Sequence, residues 1–123
     1  MTSTPHLPSV VDALVAALPE VIAIYLFGSV ARGQARAESD LDIAVLPQTP
    51  LDPAHRWRLQ EDLARIAGRD VDLVDLRTAS SVMRVQVITG AQMLHEGDAY
   101  ARALFEAHAL SDYARLNEER RGI

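Results

Sequence analysis

An α/β domain, a small sheet flanked by helices, is the architecture this chain predicts, and three observations carry the prediction. Two continuous apolar runs, residues 21–27 and 41–46, are rich in Ile, Val, Leu and Phe, as strands buried on both faces are. A third run, residues 69–76, reads as a further strand, with Asp70 and Asp72 on one face by parity and Asp75 on the other, near the strand end, where solvation or helix capping is the ordinary explanation. Segments with helical spacing, bounded by caps and breakers, flank and separate these runs.

The elements follow in order. Ser9 is a candidate N-cap for a helix over residues 10–18, with Val10, Leu14 and Leu18 on one face and Pro19 ending it. The first strand breaks at Gly28-Ser29, where the backbone must turn sharply or approach something closely. A polar segment, residues 30–39, forms a short helix or loop before the second strand. Residues 47–50 are a breaker loop, and Asp52-Pro53 is a cap followed by proline at the first helical position. The helix that follows runs to about residue 67, buries Leu59, Leu63, Ile66 and Ala67, and is capped by Gly68. Trp57 lies off this stripe, either at the rim of the core or as a partner contact. Residues 78–81 cap a helix that runs to about residue 89, with Gly90 ending it. A short edge strand over residues 91–95 and a turn at Gly97 come next. A C-terminal helix over residues 98–121 closes the chain, with Leu104, Ala107 and Leu110 as its apolar stripe and Tyr100 and Ala103 beside it.

Composition narrows the function. A length of 123 residues predicts one domain, 1–123, with no room for a second catalytic unit. The net charge of −5 argues against a protein that coats nucleic acid, which needs a basic footprint. With no cysteine there is no disulfide, thiol nucleophile or thiolate zinc site, and His6, His55, His95 and His108 lack metal-ligand spacing. No signal peptide or membrane span is evident, which makes the cytoplasm the expected location.

Chemistry gathers at the break between the first two strands. Asp40 and Asp42, two apart on a strand, project from one face about 6.5–7 Å apart at Cα, so their carboxylates can converge. Paired acids repel each other unless solvent or a divalent cation neutralises them. Mg²⁺ favours such oxygen ligands and completes its octahedron with water and substrate phosphates. A glycine whose backbone can lie against a phosphate, with a serine hydroxyl beside it, supplies the other half of a metal and nucleoside triphosphate cradle. Arg32, three residues after Ser29, and Arg36, in the loop before Asp40, can each neutralise further phosphate charge or stand as a solvated loop charge, and Arg32 can also pair structurally with Glu38.

Gly28-Ser29, a spacer of ten residues, then Asp40-Leu41-Asp42, within LFGSVARGQARAESDLDIAVL, closely resembles the signature of the polymerase-beta-like nucleotidyltransferases, and in particular their minimal (MNT) members. The resemblance implies the minimal nucleotidyltransferase fold with a small mixed sheet. It also implies two Mg²⁺ ions, ATP as substrate, and a third metal-binding carboxylate on the following strand, at Asp72. Asp70 is the alternative, read otherwise as closing the turn after Gly68. By the same resemblance Asp40, Asp42 and Asp72 are catalytic and metal-binding, while Gly28, Ser29 and Arg32 hold the nucleotide.

Minimal domains of this length resemble the antitoxin half of HEPN/MNT toxin–antitoxin pairs, which adds AMP to a tyrosine of the HEPN ribonuclease. The implied partner is a cognate HEPN toxin, with no membrane and no direct nucleic-acid binding. An acidic chain would be drawn to the basic surface a ribonuclease needs. Tyr113, Arg115, Leu116 and Arg121 on the last helix are candidate contacts. Two other readings remain open: an antitoxin that acts by binding alone, and a transferase for small molecules of the aminoglycoside type.

Overall fold

The computed structural model describes residues 6–34 and 39–120. Arg36 and Glu38, named above as a phosphate-binding candidate and as a partner for Arg32, lie outside the described residues, as does Arg121.

Four strands form one sheet in the order β3-β2-β1-β4. β1 (Ala23–Phe27) pairs antiparallel with both β2 (Leu41–Leu46) and β4 (Gln92–Glu96), whereas β3 (Val71–Asp75) runs parallel to β2. The sheet is therefore mixed, as the resemblance implies. Alternation sorts the side chains between two layers. Ile24, Leu26, Leu41, Ile43, Val45, Val71 and Leu73 pack against helices α1 (Leu7–Ala17) and α3 (Pro53–Ala67). Ala23, Tyr25, Ala44 and Leu46 face α4 (Ser81–Gly90) and α5 (Ala99–Arg120), where they meet Val87 and Phe105. Apart from Asp42 near the start of β2, both strands of the central pair are apolar and buried on both faces along nearly their whole length.

Caps behave largely as expected. The Asp52 carboxylate accepts from the Ala54 and His55 amides, Ser80 accepts from Met83 N–H, and Asp98 from Ala101 N–H. Gly68 ends α3 in the left-handed region at φ 70°. Trp57 stands 55% exposed, so it is not a core residue. Along α1, however, the helix begins three residues earlier than Ser9 implies, with His6 in the cap position and no side-chain bond there. Pro8 falls in the first turn, where its fixed φ suits helix and its missing N–H costs nothing.

Two expectations are corrected by packing. On α5 the stripe turned to the sheet is Ala101, Phe105 and Ala109, while Tyr100, Leu104 and Leu110 are exposed. The inward face also carries Arg102 and Glu106, which argues against burial on hydropathy alone. In the fold they satisfy each other at 2.8 Å, Arg102 also pairs with Glu96, and Glu106 accepts the buried Tyr25 hydroxyl at 2.8 Å. Burial and that carboxylate push the Tyr25 hydroxyl far above its ordinary range. Further along α5, Tyr113, Leu116 and Asn117 line a groove with Ser80, Ser81 and Val82, and Arg115 pairs with Asp112 at 2.9 Å.

Asp75 is the second correction. It is 4% exposed rather than solvated at a strand end, and its two oxygens accept from Leu51 N–H and Arg77 N–H, each at 2.8 Å. It closes the loop after β2 onto the end of β3, at the opposite end of the sheet from Asp72. Asp75→Asn keeps the shape but turns an amide N–H₂ toward one of those donors, at an expected cost of about 1–3 kcal/mol. Denaturant melts should record this loss while the magnesium dependence of the protein stays as in the parent. A change in that dependence would show that Asp75 serves the acidic site after all.

Candidate active site

β1 delivers an extended Phe27 to one end of the sheet, and Gly28 then turns the chain at φ 75° into the four-residue helix α2 (Gly28–Ala31). Two constraints select glycine here. The left-handed φ disfavours any side chain. In addition, a Cβ at this position would lie 2.0 Å from Asp42 Oδ2 and 2.9 Å from its carboxyl carbon. The glycine therefore backs directly onto a carboxylate, a contact that neither half of the sequence motif reveals separately. Ser29 follows, half-buried, and its carbonyl accepts Gln34 N–H at 2.9 Å, folding the spacer back over the turn.

Strand register brings the acids to the same place. Phe27 is opposite Asp42 on the antiparallel side, and Asp42 is opposite Asp72 on the parallel side. By alternation Asp42 shares its face with Ala44, and Asp72 with Val74, so both carboxylates project on the α4 and α5 side of the sheet. They stand at the end of the sheet where β1 finishes and β2 and β3 begin. Asp40, one residue ahead of β2, and Asp72 are exposed, while Asp42 is half-buried. Burial raises the Asp42 carboxyl above the ordinary carboxylate range, and the charges of Asp72 and Asp40 raise it further; Arg32 opposes the shift. Arg32 is exposed and donates from Nε to Gln34 Oε1 at 3.2 Å.

The structure thus brings together Gly28, Asp40, Asp42 and Asp72, with Ser29 next in the turn and Arg32 near enough for its charge to act on Asp42. Between the candidates for the third acid, it is Asp72 whose charge acts on Asp42; Asp70 is exposed one residue before β3, and its carbonyl accepts Leu41 N–H at 2.9 Å. Among the described residues no three acids or histidines are drawn tightly enough to enclose an ion by themselves. An open ledge of carboxylates that repel one another suits a hard cation that takes its remaining ligands from water and phosphate.

One residue of this region carries no signal in the sequence. Arg69, at the turn before β3, donates from Nη1 to the Ser39 carbonyl at 3.2 Å, tying the approach to Asp40 to the approach to Asp72. The two residues are thirty apart in the chain, and only the parallel register makes them neighbours.

Comparison with known proteins identifies the family. Residues 11–100 match the family described as polymerase beta, nucleotidyltransferase. Over 106 residues the chain is 43% identical to the protein adenylyltransferase MntA of Shewanella oneidensis, covering 86% of this chain and 76% of that protein. A chain in the crystal structure of a toxin–antitoxin with AMP-PNP superposes with a TM-score of 0.88 at 39% identity, over 95% of this chain and 94% of that one. A chain in the complex of the tri-AMPylated Shewanella oneidensis HEPN toxin with MNT antitoxin gives 0.81 at 38% identity, over 94% and 90%. The glycine turn and all three acidic positions fall inside the matched span, and the chain belongs to the polymerase beta nucleotidyltransferase family.

Proposed function

We propose that this chain, as one minimal domain, transfers AMP from ATP to a tyrosine hydroxyl of a cognate HEPN ribonuclease and so acts as its antitoxin. The observation that carries the reading is the register of Phe27, Asp42 and Asp72 across three neighbouring strands, with Gly28 packed on the Asp42 carboxylate. Relatives of high identity over most of the chain supply the acceptor class: one is a protein adenylyltransferase, and another is seen with an AMP-modified HEPN toxin.

Asp40, Asp42 and Asp72 would hold the Mg²⁺, two ions in this reading, with water and substrate phosphates as the remaining ligands. Bound Mg²⁺ neutralises the charge that grows on the attacking and leaving oxygens during nucleotidyl transfer. The Gly28 backbone and the Ser29 hydroxyl seat the β and γ phosphates, and Arg32 adds a guanidinium on the phosphate side. In this reading Asp72, which is exposed, takes the proton of the tyrosine hydroxyl as that oxygen attacks the α phosphorus and pyrophosphate leaves. A reaction that consumes ATP to silence a ribonuclease belongs in the cytoplasm. No helix among the described residues is long and apolar enough to cross a membrane.

The test uses ATP labelled in its adenine ring, Mg²⁺, the HEPN protein and, in parallel, an aminoglycoside panel. Label on a HEPN tyrosine, with loss of ribonuclease activity, is the expected result. Neutralisation without label would replace the reading with antitoxin action by binding alone. Label on the aminoglycosides instead would make the chain a small-molecule transferase.

A further inference from the structure

β3 lies at the edge of the sheet, so every second backbone N–H and C=O along it lacks a ladder partner. At Leu73 both groups are taken by α3. Gln60 Oε1 accepts Leu73 N–H at 2.9 Å, and Arg56 Nη1 donates to the Leu73 carbonyl at 3.0 Å. The two side chains are one helical turn apart, half-buried, and braced against each other at 3.5 Å. For the length of one residue, a helix supplies the pairing that a further strand would have given.

The position of this clamp matters more than its existence. Leu73 follows Asp72 directly, and successive residues of a strand turn their backbone groups to opposite sides. Leu73 is thus held from α3, while Asp72 is held by β2 in register with Asp42. Apolar packing of Leu59, Leu63 and Ala67 against Val71 and Leu73 already joins the two layers, but such packing is non-directional and permits sliding along the strand. A pair of hydrogen bonds at 2.9 and 3.0 Å does not.

We infer that Gln60 and Arg56 are positioning residues for Asp72: they lock the edge strand so that the third carboxylate stays opposite Asp42, without themselves touching nucleotide or metal. The inference rests on the reading of Asp72 as a magnesium ligand. Mg²⁺ demands near-ideal octahedral geometry, so a small slide of one ligand is felt strongly.

Four variants test it: Gln60→Leu, which removes the acceptor at similar size; Gln60→Glu, which keeps an acceptor; Arg56→Met, which keeps the stem and removes the donor; and Asp72→Asn. Two readouts are needed. One is Mg²⁺ binding without ATP, followed at the Asp72 amide by NMR; the other is the Mg²⁺ concentration that half-saturates AMP transfer to the HEPN protein. Removing the acceptor should raise both midpoints about tenfold, as loss of a ligand-orienting partner does, with KM for ATP within about twofold. Gln60→Glu should return both to within about twofold of the parent, and Arg56→Met should move them in the same direction as Gln60→Leu. A folded Gln60→Leu protein with parental midpoints, however much its melting temperature falls, would leave the clamp as a stability device and overturn the inference. Should Gln60→Leu not fold, Arg56→Met decides by the same criterion. Parental midpoints in Asp72→Asn would instead overturn the assignment of Asp72, and with it the reading on which the clamp depends.

Discussion

Replacing Asp40 and Asp42 together by asparagine should reduce AMP transfer by about a thousandfold or more, while the chain still folds and keeps its cooperative melt. Asparagine preserves the shape of both side chains and removes only their charge, so the loss isolates cation binding from packing. Calorimetry with Mg·ATP should show binding weakened in step with activity. Undiminished binding and transfer would remove the two acids from the mechanism.

Asp42→Asn alone carries a second expectation, in stability. The folded-state pKa of Asp42 is raised by burial and by the neighbouring acids, so the native state holds that proton more tightly than the unfolded chain does. Below the unfolded pKa both states are protonated and the group costs nothing; as pH rises through the folded value the full penalty sets in. At neutral pH without metal, Asp42→Asn should therefore melt a few degrees above the parent. The gap should close in acid, and it should narrow when Mg²⁺ is added to the parent. A site that destabilises its own empty fold is the ordinary cost of assembled catalytic charge.

Gly28→Ala is expected to be nearly as severe, for a different reason. Alanine at φ 75° is strained by roughly 1–3 kcal/mol, and its methyl group would sit 2.0 Å from Asp42 Oδ2 unless the carboxylate swings away. Transfer should fall about a hundredfold, through displacement of the acid as well as of the turn. If a crystal structure of the variant showed Asp42 in its original place and activity fell less than about twofold, the contact would have no catalytic meaning.

What the sequence disclosed and what it hid divide along the range of the interactions. β1, β2 and the turn at Gly28 are contiguous runs and local breaks, visible in a short window. The caps at Asp52 and Asp98 act within three residues. The role of Asp75 was hidden because its partner Leu51 N–H lies twenty-four residues away. The inward face of α5 was misjudged because Arg102 and Glu106 look soluble until Glu96 and Tyr25 are set beside them. Several arginines were illegible in the same way. Arg56, Arg69, Arg77 and Arg84 each donate to a backbone carbonyl, of Leu73, Ser39, Pro47 and Leu76, a use that composition reports only as positive charge.

The order in which the strands pair sets a limit on how short this enzyme can be made. Every candidate catalytic residue lies within the first 72 residues, yet the outer edge of β1 is closed only by β4, with Ala23 meeting Glu96 across more than seventy residues of chain. A chain that stops after β3 also leaves Tyr25, Ala44 and Leu46 without α4 and α5 to cover them. A fragment ending after β3 would hold the whole chemical apparatus and lack the cohesion to keep it in register. In this fold the chain after β3 carries none of the candidate catalytic residues; it supplies the enclosure that the exposed face of the chain before it needs.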